Sequence, residues 1–309
     1  LRFIVDHSLE YIDAYPIESF AGKRSTDGYV DHYTVGPPTW WCLLPERHEE
    51  WAKVLTLLRH SEEVNDDELL TILHRMLQEI RYLMTQVPAW VARGHNAAGY
   101  MIRVIAMLSI LYGDFSESKQ WRVDAAKWFR TYLKDAFYPD GLYKELTLGY
   151  TSSISSQVSR TAHALQDVSI VDELREPLGR ILTALIALVK PTGSIPAFGD
   201  GPTVSLSLVL YMPLIRWLGL PWMMDLVTAG NDEAGGYGSS WQTWANPTGP
   251  VCAWLRDSVD HVGPEPPFTE WPVQGEEAWG GYYSMRSDWS SNAAYLMIDG
   301  GLWGSTHRH

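Results

Sequence analysis

Along this 309-residue chain the spacing of apolar residues changes once, near residue 230, and that switch limits the possible folds more than any other feature. Before it the spacing is three to four. Leu70, Leu73, Leu77, Ile80 and Met84 trace one helical face, and Met101, Val104, Ile105, Leu108 and Leu111 trace another. Trp121, Trp128, Tyr132 and Ala136 repeat the pattern, as do Leu174, Leu178, Ile181, Leu185 and Leu188. Gly113-Asp114, Pro139-Asp140-Gly141 and Pro191-Thr192-Gly193 supply turn chemistry between them. Helices joined by short loops pack as antiparallel neighbours, in a bundle or a helical toroid.

Beyond Gly230 the signals are those of loops and strands. Gly235-Gly236-Tyr237-Gly238-Ser239 reads as a flexible loop, and Pro264 to Pro267 as a linker. Gly281 to Ser287 and Ala294 to Ile298 read as strands, with a hairpin turn over Asp288 to Asn292. The predicted fold class is mainly α followed by β. A helical domain is expected over residues 1–230, a helical or loop connection over 231–270, and the start of a β domain over 271–309.

Charge and composition exclude several function classes. Lys and Arg number 24 against 37 Asp and Glu, a formal charge of −13, which argues against a general nucleic-acid binder. No apolar run approaches the ~18–20 residues that span a bilayer, so no membrane partner is expected. Cys42 and Cys252 are too few to staple such a chain, and they read as buried free thiols. Fifteen Trp and 16 Tyr either fill a core or offer flat faces to sugar rings.

Three segments carry polar groups suited to chemistry. In Arg93-Gly94-His95-Asn96-Ala97-Ala98-Gly99, Asn96 reads first as a helix N-cap, while His95 and Asn96 together suit an anionic group at a helix start. The second runs from Tyr138-Pro139-Asp140-Gly141 through Glu145 to Gly149-Tyr150-Thr151-Ser152, where Gly149-Tyr150 marks another helix start. Asp140 and Glu145 there admit a glycosidase-like carboxylate pair. In the third, Thr306-His307-Arg308-His309, an extended backbone turns both imidazoles to one face, a geometry that suits a metal or a reactive site.

The ordered set resembles the heparinase II/III-like polysaccharide lyases, a group that includes alginate lyases of similar architecture. It comprises Asn96 before a helix, Pro139-Asp140-Gly141 with Glu145 and Tyr150, Pro196-Ala197-Phe198-Gly199-Asp200, Gly280-Gly281-Tyr282 with Met285-Arg286, and His307 with His309. The resemblance covers residues from about Trp51 to His309. It implies an incomplete (α/α) toroid followed by an antiparallel β-sandwich, and β-elimination beside a uronic acid in an acidic polysaccharide. By the same resemblance Asn96, with His95 or His307 nearby, neutralises the substrate carboxylate. Tyr150 is the acid, and also the base for syn geometry. An ordinary Tyr ionises near ~10, so the base role needs positive charge or donors beside it.

His307 is the partner base for the opposite C5 configuration. Arg93 and Glu145 are candidate substrate contacts. His309 is implied as a ligand of a structural divalent metal, zinc or similar, which the elimination does not need. Because the family's β domain continues past this His-x-His motif, the sequence is expected to be part of a longer protein. A polymeric substrate implies a secreted or periplasmic location. Net acidity does not oppose such a substrate, since residues 86–165 hold nine Lys and Arg against six Asp and Glu. A uronate C5-epimerase and a non-catalytic glycan-binding protein are the alternatives, with a toroid glycosidase using Asp140, Glu145 or Asp200 behind them.

Overall fold

A computed structural model describes residues 1–20, 43–58, 61–166, 169–199, 204–206, 211–220, 222–223, 268–273, 277–290 and 292–301. Eight helices lie among them: α1 (Arg2–Ala14), α2 (Leu43–Leu58), α3 (Asp66–Val91), α4 (Asn96–Leu111), α5 (Ser118–Ala136), α6 (Leu148–Ala164), α7 (Arg175–Ala187) and α8 (Met212–Leu218). Two short strands, β1 (Ser194–Ile195) and β2 (Val204–Ser205), pair antiparallel. A second antiparallel sheet has the order β3 (Glu270–Trp271), β4 (Tyr282–Arg286), β5 (Tyr295–Asp299). The chain divides within α5 into two compact units, Leu1–Tyr132 and Leu133–His309. The expected loop at residues 235–239, the linker at 264–267, Cys42, Cys252, Asp200, His307 and His309 all lie outside the described residues. Among the described residues no helix is long and apolar enough to cross a membrane.

In the first unit α3 packs against α1, α2 and α4. Asn65 opens α3 with a capping box: its side chain accepts from Glu68 N, and the Glu68 carboxylate takes the Asn65 N–H. The buried face of α3 is rotated from the one its apolar spacing suggests, sharing Ile80 with it. Leu70 is 62% exposed, and the interior stripe is Ile72, Met76, Ile80, Leu83, Val87 and Trp90, with Arg75 and Glu79 among them.

The physical reason is an ion cluster. Arg47 Nη2 lies 2.7 Å from Glu79 Oε2, Arg75 Nε donates to Oε1 at 2.8 Å, and the Tyr11 hydroxyl donates to Oε1 at 3.3 Å. His48 Nε2 stands 3.3 Å from the same carboxylate. Residues of α1, α2 and α3 therefore meet on one buried anion. Arg75 also donates to the Tyr15 carbonyl, and the Arg47 guanidinium lies 4.4 Å from the Tyr11 ring centroid. A second buried pair, Glu49 with Arg103, joins α2 to α4. In α4, Met101, Val104, Ile105 and Leu108 are buried as the periodicity predicts, while Leu111 is exposed at the helix end.

In the second unit Leu174, Leu178, Ile181, Leu185 and Leu188 are all buried, as their spacing predicts. The sheet closes the C-terminal end of α7, whose last carbonyls have no partner within the helix. Ser284 Oγ and Arg286 Nη2 donate to the Ala187 carbonyl, both at 2.9 Å. Arg286 also reaches the Val189 carbonyl at 2.7 Å, and the Tyr295 hydroxyl donates to the Leu188 carbonyl at 2.9 Å. A cation at a helix C-terminus also meets the negative end of the helix dipole. Strand alternation places these side chains on one face of the sheet and Tyr283, Met285, Leu296 and Ile298 on the other, 43–51% exposed. Between β4 and β5 the expected hairpin forms, with Ser287 N donating to the Ala294 carbonyl and Ser290 N to Asp288 Oδ1.

Acid should weaken the first unit in two steps. Burial pushes the His48 imidazole below its ordinary 6.5, against the pull of Glu79, so the folded state resists a proton that the unfolded chain accepts. Stability from this group is complete above pH 6.5 and declines below it. Burial also opposes ionisation of Glu79, but the His48 ring and the Arg47 and Arg75 guanidiniums beside it outweigh it and hold the carboxyl at about 2. Its contribution is present above 4.5 and is lost as the pH falls towards 2. Urea unfolding followed by Trp fluorescence at pH 7.5, 5.5 and 3.5 checks both steps. Glu79→Ala, which strands Arg75 inside, should cost about 3–5 kcal/mol at pH 7.5. Gly281 adopts φ +75°, and a Cβ there would stand 2.0 Å from Gly301 Cα. Gly281→Ala should therefore lower stability by about 2 kcal/mol or more in the same assay.

Candidate functional site

Helix α3 turns into α4 within four residues, Ala92 to His95, and Gly94 makes the reversal possible at φ 61°. Gly94 N donates to the Val91 carbonyl at 2.9 Å, and His95 N to the Trp90 carbonyl at 3.3 Å. Asn96 does not cap α4, contrary to the sequence reading. The cap is His95, extended at φ −74° and ψ 149°, whose Nδ1 accepts from Ala97 N at 3.1 Å. An acceptor Nδ1 leaves the proton of the neutral ring on Nε2. The ring packs on Trp90 with centroids 4.7 Å apart. With His95 taking the cap, Asn96 becomes the first helical residue and is buried, with Ala97 and Ala98 buried beside it. Arg93 is exposed on the same turn.

The other candidates lie in the second unit, where a compact loop carries the chain from α5 to α6. Tyr138 N donates to the Leu142 carbonyl at 2.8 Å, Gly141 N to the Tyr138 carbonyl, and Lys144 N to the Ala136 carbonyl. At the tip Asp140 is buried. Its Oδ1 accepts from Leu142 N at 3.1 Å and its Oδ2 from Gly280 N at 2.8 Å. Burial raises its carboxyl above the ordinary range despite those donors. Glu145 is also buried and accepts from the Tyr143 hydroxyl at 3.0 Å. Both carboxylates of the pair considered for glycosidase chemistry thus have interior partners.

Leu146, at φ 54°, is the one non-glycine residue with positive φ among the described residues, and it aims the chain into α6. Thr147 caps that helix: its Oγ1 accepts from Tyr150 N at 3.3 Å and its carbonyl from Thr151 N at 2.9 Å. Leu148 N donates to the Phe198 carbonyl at 3.4 Å. The helix start expected at Gly149-Tyr150 is therefore present, and Tyr150 occupies its first turn, half-buried. Thr147 ahead of an apolar residue is itself a readable cap signal, one that the Gly149-Tyr150 pattern leaves out.

The structure groups Arg93, His95 and Asn96 on one turn of the first unit, and Glu145 and Tyr150 on one loop-to-helix junction of the second. His307 and His309 lie outside the described residues. Among the described residues no three His, Cys, Asp or Glu side chains are placed to hold a metal ion.

Comparison with known proteins identifies the fold and the family. The family described as Heparinase II/III N-terminus matches residues 9–217. A heparan sulfate lyase HepC mutant from Pedobacter heparinus is similar in structure, with TM-score 0.64 and 17% identity over 100% of this chain and 42% of its own. A Heparinase III structure is similar over 92% of this chain and 40% of its own, with TM-score 0.65 and 15% identity. The chain thus spans about two-fifths of the length of these solved structures. No curated protein sequence matches it. The fold is that of their helical part, an incomplete (α/α) toroid, followed by the start of an antiparallel β-sandwich. With the match running through both Asn96 and Tyr150, the chain belongs to the heparinase II/III family.

Proposed function

We propose that this protein cleaves a uronic-acid-containing polysaccharide, of the heparan or alginate kind, by β-elimination. The observation that carries the proposal is the placement of Asn96 and Tyr150. Each occupies the first turn of a capped helix inside the family match, where backbone N–H groups and the helix dipole favour an anion.

The chemistry needs a carboxylate neutraliser, a base and an acid. The C5 proton of a uronate is weakly acidic, so its removal requires the charge growing on the carboxylate to be met by donors. Asn96 is the neutraliser, because its amide donates from the start of α4, where the helix dipole is positive and bulk water is excluded. His95, which caps the same helix through Nδ1, stands beside it in sequence. In syn geometry Tyr150 acts first as the phenolate, which takes the C5 proton and becomes the phenol. The C5–H electron pair becomes the C4–C5 double bond, the C4–O bond breaks, and the leaving oxygen receives a proton from the phenol. For the opposite C5 configuration the base is His307. Arg93, exposed on the α4 turn, draws in the anionic polymer. Glu145 is a supporting residue of the Tyr150 loop, since its carboxylate is buried against Tyr143. A structural divalent metal, zinc or similar, with His309 among its ligands, and a secreted or periplasmic location belong to the same proposal.

Heparan sulfate, heparin and alginate, each incubated with the protein and followed by the ultraviolet absorbance of an unsaturated uronate, test the reading. Product from at least one is expected. A changed uronate configuration without absorbance would instead mark an epimerase. Tyr150→Phe should lower turnover by about 10²-fold or more while binding of the same polymer persists. Asn96→Asp sets a negative charge against the substrate carboxylate, so it should lower kcat/KM further than Asn96→Ala, itself expected to cost about 10²-fold.

A further inference from the structure

The group proposed to do the chemistry, Tyr150, sits on a helix whose entry is held from the β-sheet. Leu146 lies four residues before it, in a backbone conformation that costs a branched side chain about 1 kcal/mol or more and persists only where neighbours enforce it. The enforcement comes from far along the chain. Tyr282, the first residue of β4, donates its hydroxyl to the Leu146 carbonyl at 2.5 Å. That carbonyl belongs to the peptide leading into Thr147, and Thr147 Oγ1 holds Tyr150 N. The buried Tyr282 ring meets Phe198 edge-on, with centroids 5.9 Å apart, and the Phe198 carbonyl takes Leu148 N. Two residues before Tyr282, Gly280 N is gripped by Asp140 at the other end of the same loop. A Cβ at Gly280 would stand 2.5 Å from Leu142 Cδ1, so a side chain there would have to displace the Leu142 side chain. Segment 280–282 therefore holds the α5–α6 loop at its tip and at its exit.

We infer that Tyr282, supported by the Asp140–Gly280 link, is a positioning residue that fixes the Tyr150 phenol for proton transfer by holding the Leu146 carbonyl. The inference rests on the proposed role of Tyr150, though its structural half is independent of that role. Burial keeps the Tyr282 phenol above its ordinary range, and the Asp299 charge adds to this, so the hydroxyl remains a donor throughout the working pH range. A hydrogen bond at the loop exit matters for rate because a displacement of the reacting group by under an ångström lowers turnover without changing substrate contacts made elsewhere.

The test compares Tyr282→Phe, which removes one hydroxyl, with Ser284→Ala, which removes a bond from the same sheet to the C-terminal end of α7. Two readouts are taken on the full chain. Amide hydrogen exchange of Thr147 to Thr151 should speed up about tenfold in Tyr282→Phe and remain unchanged in Ser284→Ala. With whichever of heparan sulfate, heparin or alginate the wild type cleaves, Tyr282→Phe should lower kcat about tenfold and shift the kcat–pH profile, with KM within about twofold. Asp140→Asn, which keeps one acceptor oxygen at the loop tip, should give the same split at smaller size. Unchanged exchange in Tyr282→Phe overturns the inference, whatever the activity. Equal loss of kcat in Ser284→Ala also overturns it, because general loosening of the sheet would then explain both. If the wild type cleaves none of the three polymers while Tyr282→Phe exchanges faster, the lyase reading fails and the hold on Leu146 stands.

Discussion

Every helix leaves several N–H groups at its start and several carbonyls at its end without an internal partner, and a buried end must find partners elsewhere. Leaving one such group unsatisfied costs about 1–3 kcal/mol. Much of this architecture follows from that requirement. His95 turns its ring nitrogen onto the start of α4, and Thr147 with the Phe198 carbonyl serves the start of α6. Ser284, Arg286 and Tyr295 reach down from the sheet to the last carbonyls of α7. The sheet is thus joined to the helices of its unit by polar bonds to specific atoms, which fix its register in a way apolar contact alone would not.

A second constraint governs the first unit. A carboxylate removed from water is tolerable only when surrounded by donors and opposite charge. Glu79 meets this with groups from three helices, so each helix must arrive in a set rotation and at a set height. Such a cluster adds little net stability over an apolar core of the same volume. It does make alternative helix packings costly, because any of them strands an arginine or the glutamate.

Apolar spacing marked α3, α4, α5 and α7, a helix-start pattern marked α6, and alternation marked β4, β5 and the turn between them, whereas α1, α2, α8 and the two-residue strands were not marked. The rotation of α3 was not legible either. Its stripe met the interior face at Ile80 and touched it through Leu73, but was rotated away at Leu70 because Arg75 and Glu79 lie on that face, and a pattern built on apolar letters discounts charged residues that are buried in pairs. The cap of α4 was misassigned by one residue for a similar reason. Asn is the commoner cap, but the turn through Gly94 brings the His95 ring to the helix start first. The links from Asp140 to Gly280 and from Tyr282 to Leu146 span 140 and 136 positions, and no local pattern announces contacts of that range. Asp140 and Glu145 drew attention as a possible acid–base pair because their identity was visible and their burial was not.

The outer side of the three-stranded sheet has a consequence of its own. Tyr283 faces Ile298 and Met285 faces Leu296 across β4 and β5, an apolar side that the described residues leave half exposed, while the opposite side is committed to polar bonds. The two sides therefore tolerate substitution differently. Inward changes break bonds to named backbone atoms and are felt at helix ends, whereas outward changes to Thr or Lys leave the described contacts intact and alter only the apolar side. The sheet thus divides its work: one side seats it on the ends of helices, and the other carries the apolar residues that a second sheet of a sandwich packs against.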